Sequence, residues 1–246
     1  MEELRIQKYL ADCGICSRRA AEKAIEQGEV QINGQPAEIG QKIRPDRDKV
    51  TYRGKPVVKK RNDHPCYVML HKPAGYVTTM SDEKGRKTVA ELITGVERRV
   101  YPVGRLDMDS EGLLLFTNDG DLANALTHPK HHIPKIYHVR VAGAITREQL
   151  SKLQESMDID GYQIQPVECT LLKREEEGST IAMVLYEGRN RQIRKMCEQV
   201  GLEVRRLRRI AIGDLELDIP RGKWRYLNKE EADYLKESSG LLKKKK

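Results

Sequence analysis

What is absent from this sequence narrows its function before any motif is read. No run of 18 apolar residues occurs, and no apolar segment follows a basic N-terminus, so neither a membrane span nor secretion is expected. There is no G-x-G-x-x-G and no Walker A loop, which leaves nucleotide-cofactor chemistry without support. No internal repeat is visible. Cysteine is scarce, and the five present (Cys13, Cys16, Cys66, Cys169 and Cys197) are odd in number and scattered. That pattern suggests reduced thiols in the cytoplasm rather than a disulfide framework. Cys13-x-x-Cys16 is half a zinc site with no second pair, so it reads as small residues packing at a turn between helices. His128, His131 and His132 cluster without a carboxylate or thiol at ligand spacing, and read as exposed loop histidines. No metal is therefore expected.

What is present is charge. A third of the 246 residues are charged and 38% are hydrophobic, enough for a core in a very polar chain. The formal net charge is +8, with a sequence pI near 9.2. This favours a polyanionic partner, nucleic acid first and an anionic membrane second. The length allows one large domain or a small one plus a medium one.

Residues 1–60 read as a compact module. Arg5 to Asp12 has helical periodicity, closed by Cys13-Gly14. Ser17 caps a second helix, Arg18 to Gln27, which Gly28 stops. Val30-Gln31-Ile32 is a strand, Asn33-Gly34 a hairpin turn, and Val50 to Val57 further strand around Arg53-Gly54. Residues 1–62 hold 14 Lys and Arg against nine Asp and Glu. The run Lys59 to Pro65 is the expected linker, residues 65–238 a second domain, and 239–246 a disordered basic tail.

The second domain opens with strand Tyr67 to Leu70, after which His71-Lys72-Pro73-Ala74-Gly75 turns the chain. Thr88-x-x-Glu91 is a capping box for a short helix. Tyr101 to Asp121 is the centre of the chain: an apolar run, a loop holding Gly104, Arg105, Asp107, Asp109, Glu111 and Gly112, then the apolar block Leu113 to Phe116. Three readings of this loop compete. As a calcium loop it lacks the bidentate Glu at its twelfth position, which is Asn118. As a solvated turn it has no function. As a carboxylate presented from a rigid sheet it could do chemistry. Further on, Lys135 to Val141 alternates as a strand, Thr146 caps a helix, and 163–172 and 180–186 are strands. Gly188 to Met196 enters a helix closed by Gly201. Arg189 to Arg209 carries eight Lys and Arg against two acids, and Arg205-Arg206 and Arg208-Arg209 lie on a strand. A final helix spans Asn228 to Lys236.

The N-terminal stretch, R-I-Q-K-Y-L-A-D-C-G-I-C-S-R-R-A-A-E-K-A-I-E-Q-G-E-V-Q-I-N-G, resembles the S4 RNA-binding domain. The resemblance implies that Arg5, Lys8, Ser17, Arg18 and Arg19 face an RNA backbone.

The second domain resembles the RsuA-like ribosomal pseudouridine synthases through H-K-P-A-G at 71–75, G-R-L-D-M-D-S-E-G-L-L-L-F-T-N-D-G at 104–120, K-x-Y at 135–137 and G-R-N-R-Q-I-R-K-M at 188–196. Within that family it looks closest to the large-subunit (23S) branch, synthase B. The implied fold is α+β: a small S4-like module and a mixed, mainly antiparallel sheet with flanking helices. The implied reaction breaks the N1–C1′ bond of a uridine, turns the base, and joins C5 to C1′, with no cofactor. Asp107 would be the catalytic anion, attacking C1′ or removing the C2′ proton. Tyr137 would stack on the flipped base, and Arg194 would pair with Asp107 and keep it ionised. Ile193 would pack under the nucleoside, while Arg105, Arg189, Arg191 and Lys195 would hold phosphates. The implied partner is a ribosomal RNA stem-loop or ribosome assembly intermediate, bound by a monomer without a membrane or small-molecule cofactor. Two rival functions are a non-catalytic S4-type ribosome-binding protein and a metal-dependent nuclease using Asp107, Asp109 and Glu111.

Overall fold

The computed structural model describes residues 3–58 and 64–242. The expected linker lies mostly outside these residues, as does Lys243 to Lys246. The chain divides into two compact units at Pro65–Cys66.

In the first unit, β1 (Leu4–Arg5) leads into α1 (Ile6–Asp12), and α2 (Arg18–Glu26) follows after a short turn. The Ser17 hydroxyl accepts from the Ala20 N–H and caps α2, as its position before a helical run predicts. β2 (Val30–Ile32), β3 (Gln35–Pro36), β4 (Lys42–Ile43), β5 (Val50–Tyr52) and β6 (Lys55–Pro56) complete the unit. Four of them form an antiparallel sheet in the order β3-β2-β5-β6, and β1 pairs with β4. Asn33-Gly34 and Arg53-Gly54 both turn with positive φ at each residue, the geometry that matches hairpin twist. Ile6, Leu10, Ala21, Ile25, Val30 and Ile43 form the core, with Cys13 and Cys16 packed against it as small apolar groups.

The second unit is built on a nine-stranded sheet. Its elements are β7 (Tyr67–Lys72), β8 (Tyr101–Val103), β9 (Glu111–Thr117), α3 (Gly120–Thr127), β10 (Lys135–Ala142), α4 (Arg147–Leu153), β11 (Asp158–Ile159), β12 (Tyr162–Gln163), β13 (Glu168–Lys173), β14 (Gly178–Leu185), α5 (Gln192–Gln199), β15 (Val204–Ile212), β16 (Leu215–Glu216), β17 (Trp224–Tyr226) and α6 (Lys229–Ser238). The main path runs β13-β14-β10-β15-β9-β7-β17, with β16 on β15 and β8 on β9. β11 and β12 make a separate hairpin. Every pairing in the large sheet is antiparallel except β9 with β15, so the sheet is mixed and mainly antiparallel, as expected.

β9 is buried along its whole length. Leu113 and Leu115 face one cluster with Met69, Leu122 and Leu235, and Leu114 and Phe116 face another with Val68, Leu70 and Val89. An uninterrupted apolar run is what a strand covered on both faces requires. A third cluster packs Ile193, Met196 and Cys197 of α5 against Val139, Ile181 and Leu207. The parallel contact of β9 with β15 depends on Gly112, which has φ +114°. A Cβ there would lie 2.1 Å from the Arg209 carbonyl oxygen.

Three expectations need correction. β7 continues through Lys72 instead of turning at His71, because Lys72 finds buried acceptors for its ammonium. The short helix at Thr88 has its capping box but is a single 3-10 turn, Val89–Leu92. Residues 239–242 are not a loose tail: Ser239 is buried, and the Leu241 and Leu242 N–H groups both return to the Lys236 carbonyl across Gly240 at φ +75°.

Candidate active site

The loop from Gly104 to Ser110 enters β9 at the middle of the sheet, and two buried side chains clamp it from below. Lys72 is fully buried, and its ammonium donates to the carbonyls of Pro73 at 3.1 Å, Asp107 at 2.9 Å and Ser110 at 2.7 Å. Three donors thus meet three acceptors. Burial brings its pKa down to about 8, against the opposing pull of Asp109, Asp107 and Glu111. Thr78 donates its hydroxyl to the Leu106 carbonyl at 2.6 Å and accepts from the Leu106 N–H at 3.2 Å. The Asp107 carbonyl also accepts from the Ser110 N–H.

Above the clamp, the three carboxylates differ in their partners. Glu111 is buried and paired with Arg206. Asp109 accepts from both terminal nitrogens of Arg191, each at 3.0 Å. Arg194 adds its Nε at 3.2 Å from the same carboxylate and donates to the Asp109 carbonyl at 2.9 Å. Burial pushes the Asp109 carboxyl up, but the Arg191 hydrogen bonds and the two guanidinium charges outweigh it, and the pKa ends below the ordinary value. Asp107 has one guanidinium nearby, Arg191 at 3.9 Å, and its side chain is 38% exposed.

Asp107 opens into a cavity of about 400 Å³. Its walls include Leu106, Tyr137, Ile193 and Leu207, and its rim includes Arg105, Arg189 and Arg191. Tyr137 comes from β10, Leu207 from β15 and Ile193 from α5. The loop and these three elements converge because the sheet order places β10, β15 and β9 side by side. Arg191 sits at the N-terminus of α5 with φ +52°, in the left-handed region that a non-glycine side chain rarely adopts. Its ion pair with Asp109 holds the turn across the cavity mouth.

Six of the eight candidates named for this domain therefore line one cavity: Arg105, Asp107, Tyr137, Arg189, Arg191 and Ile193. Two do not. Arg194 does not pair with Asp107; one helical turn into α5, it reaches Asp109 and the Val204 carbonyl. Lys195 is not aimed at the cavity, because it pairs with Asp160 in the β11–β12 turn. In the first unit, Arg5, Ser17, Arg18 and Arg19 are exposed, whereas Lys8 is half-buried and paired with Asp12 at 2.7 Å. Lys72 and Thr78 were missed as site residues, and Asp109, weighed as an acid/base partner of Asp107 or a nuclease ligand, instead anchors two arginines. The one signal for Lys72 was its place in the His71-Lys72-Pro73-Ala74-Gly75 motif at the end of an apolar strand.

With Glu111 and Asp109 held by arginines, the loop does not offer the converging free carboxylates that calcium or a nuclease metal would need. Among the described residues, no group of three His, Cys, Asp or Glu side chains is arranged to hold a metal ion. No helix among them is long and apolar enough to cross a membrane.

Comparison with known proteins identifies this arrangement. Residues 66–199 match the RNA pseudouridylate synthase family, and residues 4–48 match the S4 domain. An uncharacterized RNA pseudouridine synthase of Aquifex aeolicus is 38% identical over 98% of this chain and 97% of that protein. The ribosomal large subunit pseudouridine synthase B of Bacillus subtilis is 40% identical over 83% of this chain and 84% of that protein. A crystal structure of a pseudouridylate synthase superposes with a TM-score of 0.68 at 29% identity, covering 94% of this chain and 99% of that one. The chain therefore belongs to the RNA pseudouridylate synthases, enzymes that isomerise uridine in RNA to pseudouridine, and carries an S4 domain ahead of the catalytic one.

Proposed function

We propose that the chain converts a uridine of large-subunit ribosomal RNA to pseudouridine, acting as a monomer in the cytoplasm with Asp107 as its catalytic carboxylate. One observation carries the site assignment. Asp107, alone of the three loop carboxylates, borders the cavity and has no hydrogen-bonded arginine. The identity with a large-subunit synthase supports the substrate class.

In this reading the target nucleotide leaves its stack and enters the cavity. Tyr137 stacks on the uracil, and Ile193 and Leu207 exclude water from the apolar side. Arg105 and Arg189 grip flanking phosphates. The Asp107 carboxylate then acts at the sugar, by attack on C1′ or removal of the C2′ proton. The base detaches at N1, turns, and bonds through C5, after which the C5 proton is lost. Arg191 stays beside Asp107, while Arg194 positions Asp109, which in turn holds Arg191.

The test is a map of pseudouridines in ribosomal RNA from cells with the protein, without it, and carrying Asp107→Asn. One position in large-subunit RNA should lose its pseudouridine in both altered strains. A full set of modifications without the protein would refute the substrate. Full modification by Asp107→Asn would refute the catalytic assignment.

A further inference from the structure

Behind the turn that carries Arg189 and Arg191 lies a second cavity, of about 220 Å³, whose walls share Leu185 and Gln192 with the first. It is smaller than the roughly 300–1,000 Å³ clefts that take drug-sized ligands, so it suits one flat heterocycle. Two tyrosines border it, Tyr162 at 40% and Tyr186 at 42% exposure. Large aromatic side chains left half in solvent on a basic protein are stacking platforms for bases. The Arg189 guanidinium already lies 3.0 Å from the centre of the Tyr162 ring, joining the rim of the first cavity to the wall of the second.

The platform is braced. Tyr162 sits on the β11–β12 hairpin, which is tied to α5 by the Lys195–Asp160 pair and by Gln199 donating to the Asp158 carbonyl at 2.6 Å. Gln192, whose buried Oε1 accepts from the Arg189 N–H, fixes the wall that the two cavities share.

We infer that this second cavity takes an unpaired nucleobase next to the target uridine. The inference rests on the RNA reading above. Flipping one nucleotide leaves its neighbour unstacked, and a base stacked on Tyr186 beside the Arg189–Tyr162 pair would offset that loss while fixing the register of the strand. Stacking on one aromatic side chain is commonly worth about 1–3 kcal/mol per base, which corresponds to roughly 5- to 150-fold in affinity.

The experiment uses the full chain, with large-subunit ribosomal RNA extracted from cells lacking the protein as the probe. Affinity and pseudouridine yield are measured for the wild type, Tyr186→Ala, Tyr186→Phe and Tyr162→Ala. Affinity should fall on the order of tenfold in both alanine variants and stay near wild type in Tyr186→Phe, which keeps the ring and loses only a hydroxyl facing Glu168 at 3.4 Å. Unchanged affinity in Tyr186→Ala would overturn the inference, as would an equal loss in Tyr186→Phe. The affinities decide the pocket and the wild-type yield decides the function: product with unchanged affinities sinks the pocket alone, and lost affinity without wild-type product sinks the substrate assignment alone.

Discussion

Replacing Lys72 by Met should separate the scaffold of the active site from its chemistry. Met keeps most of the side-chain volume and removes the ammonium. The Pro73 and Ser110 carbonyls then lose this donor, and the Asp107 carbonyl keeps only the Ser110 N–H. Each unsatisfied buried acceptor costs about 1–3 kcal/mol. The loop can shift to admit water to some of them, so the simple sum is too large. The expected destabilisation is about 3–5 kcal/mol, the range seen when one partner of a buried charged network is removed. The assay is built into the sequence: the single tryptophan, Trp224, lies on β17, which pairs with β7 where Lys72 ends. Urea unfolding followed by its fluorescence therefore reports the catalytic unit. A loss below about 1 kcal/mol with wild-type turnover would refute the clamp.

The same lysine sets a pH dependence. Its pKa is about 8 in the fold, against the ordinary lysine value of 10.5. Between these values the unfolded chain binds the extra proton, so this group's contribution to stability rises with pH. A neutral amine, however, has two N–H groups for three carbonyls, and the loop loses one tether. Turnover should therefore fall as pH rises through about 8, while Lys72 causes no parallel loss of the urea midpoint. Lys135 is also brought down to about 8, by burial and by Arg209. A Lys135→Met control should keep the alkaline fall if Lys72 causes it.

Asp107→Asn should abolish turnover while leaving the Trp224 unfolding curve and RNA affinity near wild type, because it removes charge and little shape; normal turnover would rule Asp107 out. Gly112→Ala should cost more than about 3 kcal/mol or prevent folding, since its Cβ would meet the Arg209 carbonyl at 2.1 Å; a wild-type urea midpoint would contradict the β9–β15 contact. A chain starting near Asp63 should fold and bind ribosomal RNA more weakly, with a shallower slope of log affinity against log salt, because the lost segment carries 14 basic and nine acidic residues; an unchanged slope would mean the S4 domain does not touch this RNA. Arg191→Ala should reduce single-turnover chemistry at least as much as Arg194→Ala, because Arg191 is the arginine near Asp107; chemistry lost in Arg194→Ala alone would restore the pairing expected from sequence.

The fold was largely legible because its local signals agree with its packing. Asn33-Gly34 turns where it should, Ser17 and Thr146 cap their helices, and the apolar run 113–116 is a strand buried on both faces. The cavity wall was legible from three separated segments, the loop before β9, the start of β10 and the start of α5, because each carries a motif of the resembled family. The pairing of charges was not. Arg191 and Arg194 lie three residues apart near the start of α5, and residues at that spacing share a face only if both are helical. Arg191 is not: its left-handed backbone turns its side chain across the mouth, a feature no periodicity announces. The hairpin at 158–163 was missed for a similar reason, since strands of two residues are too short to show alternation.

That altered pairing bears on which carboxylate does the chemistry. Asp107 and Asp109 are two residues apart in one loop, and composition does not distinguish them. Their surroundings do. A carboxylate that accepts two hydrogen bonds from one guanidinium and lies against a second has its lone pairs engaged and its pKa lowered, as Asp109 does. Such a group is a weak nucleophile and a weak base. It is well suited to fixing two arginines in place. Asp107 borders the cavity at 3.9 Å from one of those arginines, far enough to leave its oxygens available. A glycosidic bond breaks with positive charge growing on the sugar, so the useful anion is the available one. On the proposed reading the two acids divide the work: Asp109 holds Arg191 in place, and Asp107 is the carboxylate left available to the sugar.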